Sequence, residues 1–441
     1  MTSSTAPIED AAPGSGSPGS HGHVADDGIV RTVDGTPLKV SLARALRQEK
    51  LRALMLIAPL LLFILLSFIF PIVDMLLRSV DNGIVAKTLP TTVVELANWK
   101  PESGEAPGEN VFAALHKDLA VAVAAKDHTK LGSRLNYERS GIASLFRKTG
   151  RRIKRMEDDG DYKAQFLKAD KRWGDAENWE VIKRLSPAIT PAYFLSATDA
   201  RSGPDGVEFK PEKERIYGTL FLRTIMMSLT ITILCILLGY PVAYLLANLP
   251  TSRANLLLIL VLLPFWTSLL VRTSAWKVLL QQYGVINELL VWVGLIDDGA
   301  RLALINNVTG TVIAMTHILL PFMILPMFSV MKTVSPTYVR AAKSMGANDW
   351  TAFWKVYFPN TIPGIGAGSI LVFILAIGYY ITPEIVGGRT GVFISNRIAY
   401  HISSSLNWGL AAALGTMLLV LVLALYWCYD RIVGIDNVKL G

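Results

Sequence analysis

Cysteine is nearly absent from this chain. The 441 residues include two, Cys235 and Cys428, each inside an apolar run where a thiol behaves as a small hydrophobe. They supply neither a disulfide framework nor a metal-ligand spacing. There is no GxxxxGKS or GxxxxGKT phosphate loop, no HExxH, no GxSxG and no legible catalytic triad. The reading is therefore a non-enzymatic chain, with no catalytic, cofactor-binding or metal-binding residues of its own. Charge is scarce as well, at 18% of residues against 51% hydrophobic, and mean hydropathy is +0.40. Length alone suggests two or three globular domains. The average, however, conceals long uncharged stretches beside one highly charged block, so the chain reads as an all-α membrane protein carrying a soluble insert.

The net charge of +8 raises the question of nucleic acid. Much of the excess sits in Arg147 to Arg155 (RKTGRRIKR). In a membrane context that run reads as a solvated helical face or loop, and no nucleic-acid partner is expected. Residues 1–40 are rich in Ser, Gly, Pro, Ala and Asp without apolar periodicity, a disordered tail. The His21 and His23 pair within it has no third ligand nearby.

A basic lead-in, Arg44, Arg47, Lys50 and Arg52, precedes the run 53–77. That run suits a membrane-spanning anchor, which needs about 20 apolar residues. Further spans are expected near 219–247, 255–276, 307–331, 360–384 and 409–429, making about six. Asp74, Arg223, Arg272 and Glu384 fall near span boundaries, as the cost of a central charge requires. Pro59, Pro241, Pro264, Pro321 and Pro363 interrupt spans, which neighbouring helices in a bundle tolerate. The domains read as the tail 1–40, the lead-in and first span 41–77, an insert 78–216, a core 217–430 with five spans, and a tail 431–441. Helix-like stretches at 111–126 and 162–173 make the insert mostly helical. Lys332, Arg340, Lys343 and Lys355 make the 332–359 loop basic, and Arg431 and Lys439 do the same for the C-terminal tail. Short basic loops face the cytoplasm, so with six spans both termini are cytoplasmic and the insert is extracytoplasmic.

The segment SPTYVRAAKSMGANDWTAFWKVYFP (335–359) has the most chemistry per residue. Ser335 followed by Pro336 is a helix start. Gly346 can end that helix in a left-handed cap. Asn348 or Asp349 can cap a second short helix through Trp354, with Pro359 as its stop. Such a helix–turn–helix presents Tyr338, Met345, Trp350, Phe353 and Trp354, an apolar surface that suggests a protein partner.

This segment resembles the EAA loop of ABC importer permeases: Glu-Ala-Ala, three residues, Gly, nine residues, Ile-x-Leu-Pro. Ala341, Ala342 and Gly346 match, Val356, Phe358 and Pro359 take the closing positions, and Arg340 stands where Glu is usual. The stretches 263–287, 317–336 and 378–388 look like the spermidine/putrescine branch of that binding-protein-dependent family. The large insert departs from the short loop such permeases have there. The resemblance implies a type I importer bundle in a bacterial inner (plasma) membrane. The loop, with Tyr338, Arg340, Ala341, Ala342, Met345, Gly346, Phe353 and Pro359, would dock on an ATP-binding subunit dimer that holds ATP and Mg. A second permease subunit, a periplasmic solute-binding protein and membrane lipid complete the implied partners.

Polar and aromatic residues inside spans are costly unless they line a cavity or pair. Tyr240, Tyr244, Trp266, Thr267 and Arg272 are therefore candidates for a translocation path, as are His317, Tyr379, Tyr380 and Glu384. Packing or an interfacial aromatic belt is the competing reading for each aromatic, and Arg272 would repel a cation. GIGAGS (364–369) sits inside a span and reads as a small-xxx-small helix contact. The expected substrate is polyamine-like. Alternatives are an ABC importer of another small solute (amino acid derivative, opine, iron or sugar) or an ion-driven secondary transporter.

Overall fold

The computed structural model describes residues 38–157, 160–203 and 206–433. Most of the expected N-terminal tail, with His21 and His23, lies outside the described residues, as does the C-terminal tail from 434 with Lys439. Residues 38–40 already belong to the first helix. The chain divides into two units at Asp74.

The first unit contains helix Leu38–Ile64, a π-turn Leu65–Ile69 and the start of helix Phe70–Arg78. Its span, Leu46–Arg78, has none of its apolar window buried.

The second unit begins with the insert, a set of short helices around an aromatic core. Phe112, Phe146, Phe166, Trp173 and Trp179 are fully buried there, and fully burying a large apolar side chain contributes about 1.5–3 kcal/mol. Their polar edges are satisfied. Trp173 Nε1 donates to Thr149 Oγ1 at 2.8 Å and Trp179 Nε1 to the Trp173 carbonyl at 2.8 Å. The expected helix at 111–126 is Glu109–Ala124. The stretch 162–173 is helix Tyr162–Ala169 followed by a 3-10 turn from Lys171. The RKTGRRIKR run lies on helix Ile142–Arg152 and the next turn, its Arg147, Arg151, Lys154 and Arg155 exposed. An antiparallel hairpin, Ala200–Gly203 with Gly206–Phe209, pairs Ala200 with Phe209.

Asp199 ties the insert to the bundle. Its Oδ1 accepts from the Ile216 and Tyr217 N–H groups at 3.0 and 3.1 Å, and its Oδ2 from the Gly218 N–H at 2.8 Å. One buried carboxylate thus satisfies donors that a helix N-terminus leaves without partners.

The second span is helix Tyr217–Asn248 and the fourth is Val308–Thr333. The fourth is the most buried, with Met315, Leu319, Met323, Met327 and Met331 forming a stripe at every fourth residue. Gly364 and Gly368 let the fifth span lie against it. A Cβ on Gly364 would stand 2.9 Å from Val330 Cβ and 3.1 Å from Met327 Cα. One on Gly368 would stand 2.7 Å from Met323 Sδ. The small-xxx-small reading of that stretch holds.

Two expected spans differ in detail. The 255–276 span is a bent pair, Thr251–Trp266 and Leu269–Leu279, turned by 95°. Pro264 lacks the N–H that would continue the ladder. Thr267 and Ser268 run extended, and Ser268 Oγ then accepts from the Val271 N–H at 3.2 Å to start the second limb. The 360–384 span ends early, at Gly378, because Tyr379 is extended. Glu384 belongs to a separate helix, Ile381–Val386.

Crossing number is set by which helix ends meet. Near the starts of the second and fourth spans, the Ile394 N–H donates to Thr224 Oγ1 at 2.9 Å and Thr311 Oγ1 donates to the Gly391 carbonyl at 3.0 Å. At their far ends, Tyr244, Asn248, Met331 and Lys332 border one cleft with Ser335 and Arg340. The two helices run the same way, so the bent pair between them must return the chain. The insert and the 335–359 loop therefore lie at opposite ends of the bundle.

Candidate functional site

The loop at one end is built from capping chemistry. Ser335 Oγ accepts from the Thr337 N–H at 3.3 Å, and Pro336 begins helix Pro336–Ser344. Gly346 has φ +92°. Its N–H donates to the Lys343 carbonyl at 3.0 Å while the Ala347 N–H donates to the Ala342 carbonyl at 3.0 Å. That bond pair is a Schellman motif, which needs a left-handed residue at the glycine. Asn348, not Asp349, caps the second helix of the loop, its Oδ1 accepting from the Thr351 N–H at 2.8 Å. Lys343 and Asp349 form an ion pair across the turn.

Pro359 does not stop the second helix. Asp349–Ala352 passes through a π-turn, Phe353–Tyr357, into helix Phe358–Gly378, one continuous span of 30 residues from Asp349. The Phe358 N–H donates to the Phe353 carbonyl, five residues back. Widening the turn makes room for a proline ring that would clash with the carbonyl four residues earlier. The first unit has the same arrangement, a π-turn at Leu65–Ile69 before Pro71, with the Phe70 N–H donating to Leu65.

Of the loop residues, Tyr338, Met345 and Trp350 are exposed, Met345 by 82%. Arg340 and Ala341 are exposed too. Ala342 is buried against the bundle, and Ala352 is fully buried, so small side chains seat the loop. Phe353 is not free surface. Its ring lies 5.8 Å from Tyr244 and 6.3 Å from Tyr240, both edge-on. Tyr240 also lies 5.7 Å from Phe358, and Tyr244 lies 5.3 Å from Tyr357. Two residues read from sequence as path candidates are thus aromatic supports beneath the loop.

The remaining path candidates lie nearer the other end. His317, on the fourth span, accepts a hydrogen bond at Nδ1 from Trp276 Nε1 at 3.1 Å. It is exposed nine residues into that helix. Arg272 is half-buried on the second limb of the bent span, and its Nε and Nη1 have no hydrogen-bond partner. Thr273 Oγ1 and Thr382 Oγ1, 3.1 Å apart, join that limb to the Ile381–Val386 helix. The same helix carries Glu384, whose Oε2 accepts from Asn396 Nδ2 at 2.6 Å. Asn396 Nδ2 also donates to the Tyr380 carbonyl, and Ser395 Oγ to the Tyr379 carbonyl. Trp266 and Thr267 are exposed at the bend. Histidine and arginine at membrane depth are too costly to face lipid. That cost calls for water or protein cover over this face. Sequence reading missed Trp276, Thr382, Asn396 and Asp199; each owes its role to a partner distant in the chain.

Residues 236–434 match the family described as binding-protein-dependent transport system inner membrane component, a region that leaves out the whole insert. The chain is 34% identical over 222 residues to the spermidine/putrescine transport system permease protein PotB of Salmonella typhimurium (strain SL1344), covering 50% of this chain and 77% of that protein. It is 32% identical over 225 residues to the inner membrane ABC transporter permease protein YdcU of Escherichia coli (strain K12), covering 49% and 71%. Among solved structures, a bacterial alginate ABC transporter in complex with an alginate pentasaccharide-bound periplasmic protein aligns at 17% identity and a TM-score of 0.41, over 51% of this chain and 80% of that one. By its sequence relatives, this chain belongs to the family of binding-protein-dependent transport system inner membrane components.

Proposed function

We propose that this chain is one of two permease subunits of an ATP-driven importer for a polyamine of the spermidine/putrescine type. A solute-binding protein delivers the substrate on the insert side, and a separate ATPase dimer holding ATP and Mg drives transport through the 335–359 loop. The observation that carries the reading is the 34% identity to a spermidine/putrescine permease across 77% of its length. The loop supports it. A capped helix with exposed Tyr338, Met345 and Trp350 at the end of a bundle is an unpaired apolar surface of the kind that marks protein contacts. Lys332, Arg340, Lys343 and Lys355 favour the cytoplasm for that end, which leaves the insert periplasmic and both chain termini cytoplasmic in a bacterial inner membrane.

The exposed face bearing His317, Trp276, Tyr380 and Trp266 fits the wall between this subunit and a second permease. Aromatic faces suit an organic cation. The test is uptake of radiolabelled spermidine, putrescine, amino acids and sugars by the reconstituted complex with its binding protein. ATP-dependent uptake of spermidine or putrescine is expected; uptake confined to a sugar or an anion overturns the substrate.

A further inference from the structure

One short helix of the insert, Ala192–Ala197, bridges the heads of the second and sixth spans. Tyr193 packs on the sixth span at Gly409, where an added Cβ would stand 2.3 Å from the ring. Two residues past the helix, Asp199 accepts from the Tyr217 and Gly218 N–H groups that open the second span. Beneath this bridge an open groove of about 640 Å3 runs between the two spans. Phe194, Phe221, Ile225, Leu421 and Ala424 line it, with Thr198 at its head. Most of these residues precede the region matched by the family.

The groove has the depth of one leaflet. Its lining runs from Gly218 to Ile225 on one span and from Thr416 to Ala424 on the other, about 10 and 12 Å of helix at 1.5 Å per residue. Half of a bilayer core is about 15 Å. An apolar groove on a wall facing lipid does not stay empty, because a void forfeits the dispersion contacts of its lining. A crossing helix about 30 Å long would have to continue through the insert helix at the head of the groove. An acyl chain ends there in a headgroup.

Charges of both signs gather at that head. The Lys210 N–H donates to the Asp199 carbonyl at 2.8 Å, and Arg215 Nε to the Lys210 carbonyl at 2.6 Å. Backbone bonds thus tie both cations to the residue after Thr198. Neither has an ion-pair partner among the described residues. Glu212, Lys213 and Glu214 are exposed in the turn between them, while Arg201 and Glu208 pair with each other at 3.5 Å. Lipid tails are as apolar as leucine, so the groove by itself selects no lipid. A charge-assisted bond from a guanidinium to a phosphate does.

We infer that this groove holds one zwitterionic phospholipid of the insert-side leaflet. Its acyl chain lies between the second and sixth spans, its phosphate on Arg215 and Lys210, and its ammonium beside Glu212 and Glu214. The inference needs only that the chain spans the bilayer.

The experiment photo-labels the complete transporter in vesicles carrying a trace of phosphatidylethanolamine or phosphatidylglycerol with a diazirine midway along one acyl chain. Labelled residues are quantified by mass spectrometry against the labelling of the whole transporter. The phosphatidylethanolamine probe is expected to label Phe221, Ile225 or Leu421 about three-fold more than the phosphatidylglycerol probe. Arg215→Gln is expected to lower that labelling about five-fold, and Ala424→Trp, which fills the groove, about ten-fold. Both positions are exposed, and a size-exclusion profile like that of wild type confirms that each variant folds. Groove labelling by phosphatidylglycerol equal to or above that by phosphatidylethanolamine overturns the zwitterionic headgroup. Labelling unchanged in either variant overturns the site. A photoreactive amino acid placed at position 424 that cross-links to another polypeptide instead of lipid would assign the groove to a protein helix and overturn the inference.

Discussion

Gly346 would place no atom within 4 Å of an added Cβ, so substitution there meets backbone strain alone, about 1–2 kcal/mol. Gly346→Asp adds a charge to that strain at the proposed ATPase contact. The variant is expected to insert and accumulate like wild type, yet to lose co-purification of the ATPase and solute uptake. Normal uptake with the ATPase retained would remove the loop from coupling. His401 acts differently. It is buried, with Nε2 3.0 Å from Tyr217 Oη and Nδ1 2.8 Å from Ser405 Oγ. Burial, aided by the charge of Arg397, depresses its pKa from 6.5 to about 4. The unfolded chain then binds more protons between those values, so stability is full above pH 6.5 and falls as pH drops toward 4. Thermal unfolding in detergent should show a loss of about 2 kcal/mol from pH 7 to pH 5, and His401→Gln should flatten it; an unchanged slope in the variant would assign the pH dependence elsewhere. Gly346 was legible in sequence because a left-handed cap is a local need. His401 was not, since its partner Tyr217 is 184 residues away.

Among the elements, the tightest contact is that of the fourth and fifth spans. Gly364→Val would force side-chain atoms against Val330 Cβ and the Met327 backbone, and overpacking of this kind costs about 1–3 kcal/mol. A lower Tm and folded yield by fluorescence size-exclusion are expected; wild-type values would mean the helices can separate freely. At the head of the second span, Asp199→Ala leaves three N–H groups without their acceptor. A loss of about 2 kcal/mol is expected, with Asp199→Asn milder. The same thermal assay checks this, and equal stability of both variants with wild type would mean that water replaces the cap. Hydropathy found where these helices lie but misplaced their ends. Pro359 reads as a stop, yet a π-turn carries the helix through it. Pro264 reads as an internal kink, yet there the chain turns by 95°. Whether a proline bends, breaks or is absorbed depends on which neighbour can satisfy the freed carbonyl, and local sequence does not state that.

For the whole molecule, the same-way course of the second and fourth spans puts the insert and the basic loop at opposite ends. In a cysteine-free background, an impermeant maleimide applied to intact cells should label Lys154→Cys and not Met345→Cys; the reverse pattern would invert the orientation. Sequence by itself determined the helical membrane class, the positions of the apolar runs, the helical insert and the capped loop. Each of these follows from local quantities: apolar run length against bilayer thickness, capping residues and periodicity. Only the tertiary structure decided which polar residues share a site. It set Tyr240 and Tyr244 against Phe353 beneath the loop, gathered His317 with Trp276, and joined Asp199 to the second span. Those pairings depend on how helices cross and on which atoms then lack partners, and such distances do not exist until the chain is packed.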